Sequence, residues 1–137
     1  MSHPIPSITT FRDAIEAALG LHELYWQAHA VAALDDDGCI VDLLPYAGDH
    51  TIDCALDWAH CLVCNDARVA SLVLLSAVGD ADVRELREAD IERFHAARRV
   101  FADLAVEVHD WIITNGADVR SMVFSCSTDG GWSAQRQ

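Results

Sequence analysis

Apolar residues recur with two periods along this chain, and the switches between them set out its elements. Phe11, Ile15, Ala18 and Leu19 recur at helical spacing. They follow Thr10-x-x-Asp13, which resembles a capping box with Asp in place of the usual Glu or Gln. The spacing predicts a first helix at about 10–24, with Gly20 as a natural stop. Tyr25 to Leu34 is apolar and fits a strand. Asp35-Asp36-Asp37-Gly38 is a turn in which Gly supplies the positive φ of a tight hairpin, and Cys39 to Tyr46 is the return strand. Pro45 marks an edge or the end of that strand. Gly48-Asp49-His50-Thr51 caps a second helix at about 51–66. It is apolar nearly all the way round, so it is expected to be buried. The uninterrupted apolar stretch 69–78 predicts a central strand covered on both faces. Ile91, Phe94, Ala97, Phe101 and Leu104 make the stripe of a third helix, which Val83 and Leu86 extend back to a cap at Asp80 or Asp82. Two strands, 106–114 and 119–124, pair across Asn115-Gly116.

Helix, hairpin, helix, strand, helix, hairpin is the order of a single α/β domain, a mixed β-sheet flanked by helices. Residues 1–9, with Pro4 and Pro6, read as a loosely held lead-in, 10–126 as the domain and 127–137 as a polar, frayed tail. With 137 residues, 52% of them apolar, the chain can build its core without disulfides or metal. Charge narrows the function classes. The net charge is −13, with 22 acidic residues against nine basic ones, all Arg. Such a surface repels phosphates, which excludes a nucleic-acid partner. Arg93, Arg98 and Arg99 cluster on one helix, but Glu88, Asp90, Glu92 and Asp103 surround them, as on a solvated face with internal ion pairs. No basic-then-apolar leader opens the chain, and no apolar run approaches the ~20 residues of a membrane span. The expectation is a cytoplasmic protein with no membrane contact, its five cysteines reduced.

The stretch from Ala70 to Val123, with its phrases Glu88-Ala89-Asp90-Ile91 and His109-Asp110-Trp111-Ile112-Ile113, resembles the RadC-like branch of the JAB/MPN (JAMM) metal-hydrolase family. The resemblance covers about 25–125 and implies a JAB/MPN-like, cytidine-deaminase-like sandwich. It also implies a His-x-His-Pro-Ser-Gly run at the tip of the first strand after the hairpin. There two imidazoles and a carboxylate hold zinc, and a bound water becomes the nucleophile. A glutamate on an earlier strand takes the proton, and a serine supports the oxyanion. Here that tip reads Ser76-Ala77-Val78-Gly79-Asp80, with no histidine. Anchored on the phrase ending in Ile91, Asp90 matches the third ligand, Ala77 and Gly79 fall on the histidine positions and Arg87 on the serine. Anchored on the strand, the histidine positions are Ser76 and Val78. The glutamate position falls on Leu43, with Asp42 one residue away and therefore on the opposite sheet face. The resemblance is thus to a degenerate member. It implies a catalytically inactive binding or scaffold module for a protein partner or a second copy of the chain, with no cofactor and no metal.

Two other readings stay open. A metal-dependent hydrolase could rebuild its site from Asp90 and some of His50, His60, His95 and His109, the last in a stretch where the resembled family often carries an Asp-His pair. A thiol-based redox or zinc-responsive protein could use Cys61-x-x-Cys64, with Cys54 and His60 nearby. Positions 54, 61 and 64 fall within one quadrant of the helical wheel, as thiols packed into a core would. A structural zinc site usually draws on two knuckles, and only one is present. A zinc deaminase would need His-x-Glu and a Pro before the first Cys. Here His22 and Glu23 are adjacent and His60 stands in place of the Pro. Trp132, in the polar tail, is a candidate contact residue, either for a partner or for its own domain.

Overall fold

The structure is a computed structural model that describes residues 7–85 and 87–126. Leu86 and the tail with Trp132 lie outside the described residues. Helix α1 (Phe11–Tyr25) leads into the hairpin β1 (Gln27–Leu34) and β2 (Ile40–Leu43), followed by a two-residue strand β3 (Tyr46–Ala47). Helix α2 (Ile52–Asn65), strand β4 (Ser71–Val78), helix α3 (Glu88–Ala102), strands β5 (Glu107–Thr114) and β6 (Val119–Ser121), and the short helix α4 (Met122–Cys126) complete the order.

These strands make one open mixed sheet in the order β2-β1-β4-β5-β6, with β3 also paired to β1. β1 lies antiparallel to β2, β3 and β4. β5 runs parallel to β4, which requires the crossover that α3 supplies, and β6 turns back antiparallel. Successive side chains on a strand point to opposite faces, so β1 and β4 each feed two cores. Ala28, Ala30 and Ala32 meet Ala14 and Ala18 of α1, together with Val73 and Leu75. Alanines on both partners let that helix lie close to the sheet. Val31, Ala33, Leu72 and Leu74 face the other way, against Ile52, Ala55 and Ala59 of α2 and Phe94 and Phe101 of α3. The domain is therefore a single α/β sandwich with helices on both faces of its sheet. β4 is buried from Ser71 to Ala77, as its unbroken apolar run requires.

The capping box forms. Thr10 Oγ1 accepts from Asp13 N, and Asp13 Oδ2 accepts from Thr10 N. Gly20, however, does not stop α1. The helix runs on to Tyr25 and ends at Trp26, whose φ is 63°. A positive φ at a bulky residue costs on the order of 1–3 kcal/mol, and the ladder bond from Gly79 N to Trp26 O holds it there. Gly38 has φ 83° and closes the first hairpin as expected. β2 is an edge strand that ends before Pro45.

Four expectations need correction. The lead-in is not loose up to Thr10, because Ile8 is buried and its N–H bonds Gly38 O. α2 is not buried all round. Only Ile52, Ala55 and Ala59 are buried, while Asp53, Asp57, His60, Cys61 and Cys64 face solvent, because the sheet covers one side of it. α3 does not reach back to Asp80 or Asp82. It starts at Glu88, and Val83 is buried from an irregular loop, while Leu104 lies past the helix end. The last strand stops at Ser121, where the chain turns into α4. Among the described residues, no helix is long and apolar enough to cross a membrane.

Candidate functional site

A cavity of about 470 Å³ opens where β1 begins and β4 ends, between the first turns of α2 and α3. That is within the range of small-molecule sites. Its wall carries His29 from β1, Ser76 to Val78 from β4, Ile52 from α2 and Thr51 just before it, Asp90 and Arg93 from α3, Trp111 from β5 and Arg120 from β6.

Strand register builds the floor. His29 and Ser76 are direct partners in the β1–β4 ladder, and His29 shares its sheet face with Val31 and Ala33. His29 Nδ1 lies 2.7 Å from Ser76 Oγ, and Trp111 Nε1 donates to the same hydroxyl over 2.8 Å. An indole N–H can only donate, so Ser76 accepts there and can turn its own hydrogen toward Nδ1. The neutral imidazole then carries its proton on Nε2. Burial pushes the His29 pKa below its ordinary 6.5; Asp90 opposes that shift, Arg93 reinforces it and Asp53 opposes it.

The lowered pKa has a signed consequence. Between the folded-state pKa and 6.5, the unfolded chain binds a proton at His29 that the native chain refuses. The stability His29 contributes is therefore complete above pH 6.5 and is lost as pH falls toward the folded value. In urea titrations from pH 7.5 down to 5, His29→Gln is expected to flatten that slope relative to wild type. An unchanged slope would show that His29 titrates alike in both states.

Arg93 holds the other wall. Its Nε lies 3.2 Å from Asp53 Oδ1 and its Nη1 lies 3.4 Å from Asp90 Oδ1. One guanidinium thus bridges the starts of α2 and α3. The zinc that the resemblance implies does not fit these residues. The strand tip offers a hydroxyl, a methyl and an isopropyl group at Ser76, Ala77 and Val78, and Gly79 (φ 64°) offers no side chain. None of these is a good zinc donor. Asp90, the one matching carboxylate, already faces a cation of the protein's own.

The structure places Ser76, Ala77, Val78 and Asp90 together at the cavity, and Arg87 at its rim. Asp42 and Leu43 lie away from it on β2. The candidate histidines are scattered. His50 Nδ1 sits 3.7 Å from Cys54 Sγ, and His60 Nδ1 sits 3.9 Å from Cys64 Sγ. The His95 ring lies tilted beside Phe94, and His109 Nδ1 is 3.8 Å from the Glu107 carboxylate. Among the described residues, no group of three or more His, Cys, Asp or Glu is placed to hold a metal ion. Cys61 and Cys64 are exposed rather than packed in the core, and Cys54 is partly buried. Their shared quadrant of the wheel is the one turned toward water.

Sequence reasoning missed His29 and Arg120 as site residues. For His29 a signal existed. It is an imidazole set among alanines and valine on an apolar strand, and a ring there must find a partner or a cavity. Arg120 gave none, because its place depends on where β6 leaves the sheet. No protein-family model and no curated protein matches this chain.

Proposed function

We propose that this chain is a JAB/MPN-like domain of the RadC-like kind that has given up metal-dependent hydrolysis and works by binding. The chain path supports this reading. It has the order helix, hairpin, helix, strand, helix, hairpin that the resemblance implies, and its cavity opens at the tip of β4, where that family would keep its zinc. One observation carries the loss of chemistry: the Arg93 guanidinium spans Asp53 and Asp90. A divalent cation entering between them would meet a positive charge beside those two carboxylates, and the β4 tip adds no imidazole; His29 on β1 is the one ring on the wall, and among the described residues it does not join two further ligands placed to hold a metal. Its water would lack the tetrahedral nitrogen-rich setting that brings a bound water's pKa to about 7. The binding partner is a protein or a second copy of this chain, since the acidic surface disfavours nucleic acid.

Elemental analysis after dialysis against zinc and then against buffer tests this. Sub-stoichiometric zinc in wild type is expected, and no amide hydrolysis that a chelator removes. One tightly held zinc per chain, with chelator-sensitive hydrolysis, would overturn the reading.

A further inference from the structure

We infer that the cavity receives a small organic oxyanion, a molecule bearing a carboxylate or a phosphate, seated between Arg120 and the Nε2 edge of His29. This rests on the reading that the cavity no longer serves zinc. Arg120 is the first reason. Its guanidinium is half-buried in the cavity wall, where Nε donates to Val83 O and Nη1 to Ser125 Oγ. Among the described residues no carboxylate lies within ion-pair distance of it, in a chain with 22 acidic residues against nine arginines. The two bonds fix the fork, and among the described residues Nη2 has no hydrogen-bond partner. Arginine in that fixed geometry suits a carboxylate or phosphate.

His29 is the second reason. With the Ser76 hydroxyl turned to Nδ1, the neutral ring keeps its proton on Nε2, and the imidazolium carries one there in any case, so Nε2–H is the donor that meets an anion. Thr51, also on the wall, makes no side-chain bond to its own helix. The nearby acids do not cancel these donors. Asp90 is met by Arg93, and Asp82 is paired with Arg84, with only a further long-range attraction to Arg120. Asp49 and Glu85 are exposed at the mouth, where water and salt screen them. His29, Ser76, Ile113 and Arg120 stand in one cross-strand row on β1, β4, β5 and β6, so the two donors share a face of the sheet about three strand spacings apart, and an anion with acceptors to reach both complements that row.

The test uses the full, zinc-free chain and two probes, inorganic phosphate and succinate, each added at constant ionic strength. NMR follows the His29 ring protons and the Arg120 Nε–H. At least one probe is expected to give saturable shifts at both residues. It should also raise the apparent His29 pKa, because a bound anion favours the imidazolium against the fixed surroundings of Asp53, Asp90 and Arg93. His50 and His60, which do not line the cavity, are expected not to move. Arg120→Gln is expected to weaken binding about tenfold. The probe that saturates at lower concentration distinguishes the phosphate from the carboxylate source. Linear shifts, shifts spread over Arg68 and Arg84, or unchanged affinity in Arg120→Gln would overturn the proposal. If that variant loses the near-ultraviolet signal of Trp111, wild-type saturation and the contrast of His29 with His50 and His60 decide. Elemental analysis of the same sample separates two failures. Stoichiometric zinc defeats the reading beneath this inference, whereas zinc-free protein indifferent to both anions defeats the inference alone.

Discussion

Replacing Asp110 with Ala is expected to lower the unfolding free energy by about 3–5 kcal/mol. Asp110 sits in β5 with no solvent exposure. Its Oδ1 accepts from Trp111 N at 2.7 Å and from Val123 N at 3.0 Å, and its Oδ2 accepts from the Ser121 hydroxyl. One carboxylate therefore holds the point where β6 ends and α4 begins. The alanine variant leaves two buried N–H groups and a hydroxyl without that acceptor, and water cannot reach them. Asp110→Asn is the control. Its Oδ1 can still accept from both backbone groups, and the Ser121 hydroxyl can rotate to accept from the new amide, so about half the loss or less is expected. Urea denaturation reads both variants. A loss below about 1 kcal/mol for the alanine variant, with the same m value, would mean that the end of β6 is held by packing alone.

The consequence reaches the cavity. Trp111, the next residue, donates to Ser76, and Arg120 precedes the serine that Asp110 holds. A network with no catalytic role in this reading thus fixes two of the cavity's walls. The sequence flagged Asp110 only through its neighbour His109 as half of a possible metal pair. The side chain that matters turned out to be the carboxylate, and its partners are backbone groups that no residue pattern can announce.

What was legible follows physical range. The cap at Thr10 and Asp13, the turn at Gly38 and the two-sided burial of β4 depend on a few adjacent residues, and all three appear as read. The errors arise where a distant surface decides. α2 looked buried because Cys, Trp and Val ring it, but one sheet can cover only one side, and Ile52, Ala55 and Ala59 took that place. Val83 looked helical because it is apolar, yet a loop buries it just as well while its carbonyl anchors Arg120. At the site, the absence of histidine at the β4 tip was plain from Ser76 to Gly79. The constellation that lines the cavity was not, because His29 meets Ser76 across 47 positions of chain and only strand register brings them together.

Phe94→Ala is expected to cost a similar amount, about 3–5 kcal/mol, through a cavity in the core rather than through orphaned polar groups. The Phe94 ring is fully buried among Val31, Leu74, Trp111 and Met122. On its other side the Arg98 guanidinium lies 4.6 Å from the ring centre. α3 buries a narrow stripe of Phe94, Ala97 and Phe101, with Ile91 half-buried against the same core. Deleting the first of these anchors releases the turn that carries Asp90 and Arg93. The expected signature is therefore double. Global stability falls in urea titrations, and amide exchange at 89–93 accelerates beyond what the global loss accounts for. Phe94→Leu keeps most of the volume and is expected to cost under about 1.5 kcal/mol with no selective loosening of that turn. If the alanine variant loses stability but 89–93 exchange only with the global transition, then the Arg93 bridge to Asp53, not the ring, positions the start of α3. In that case Arg93→Ala should produce the local loosening that Phe94→Ala did not.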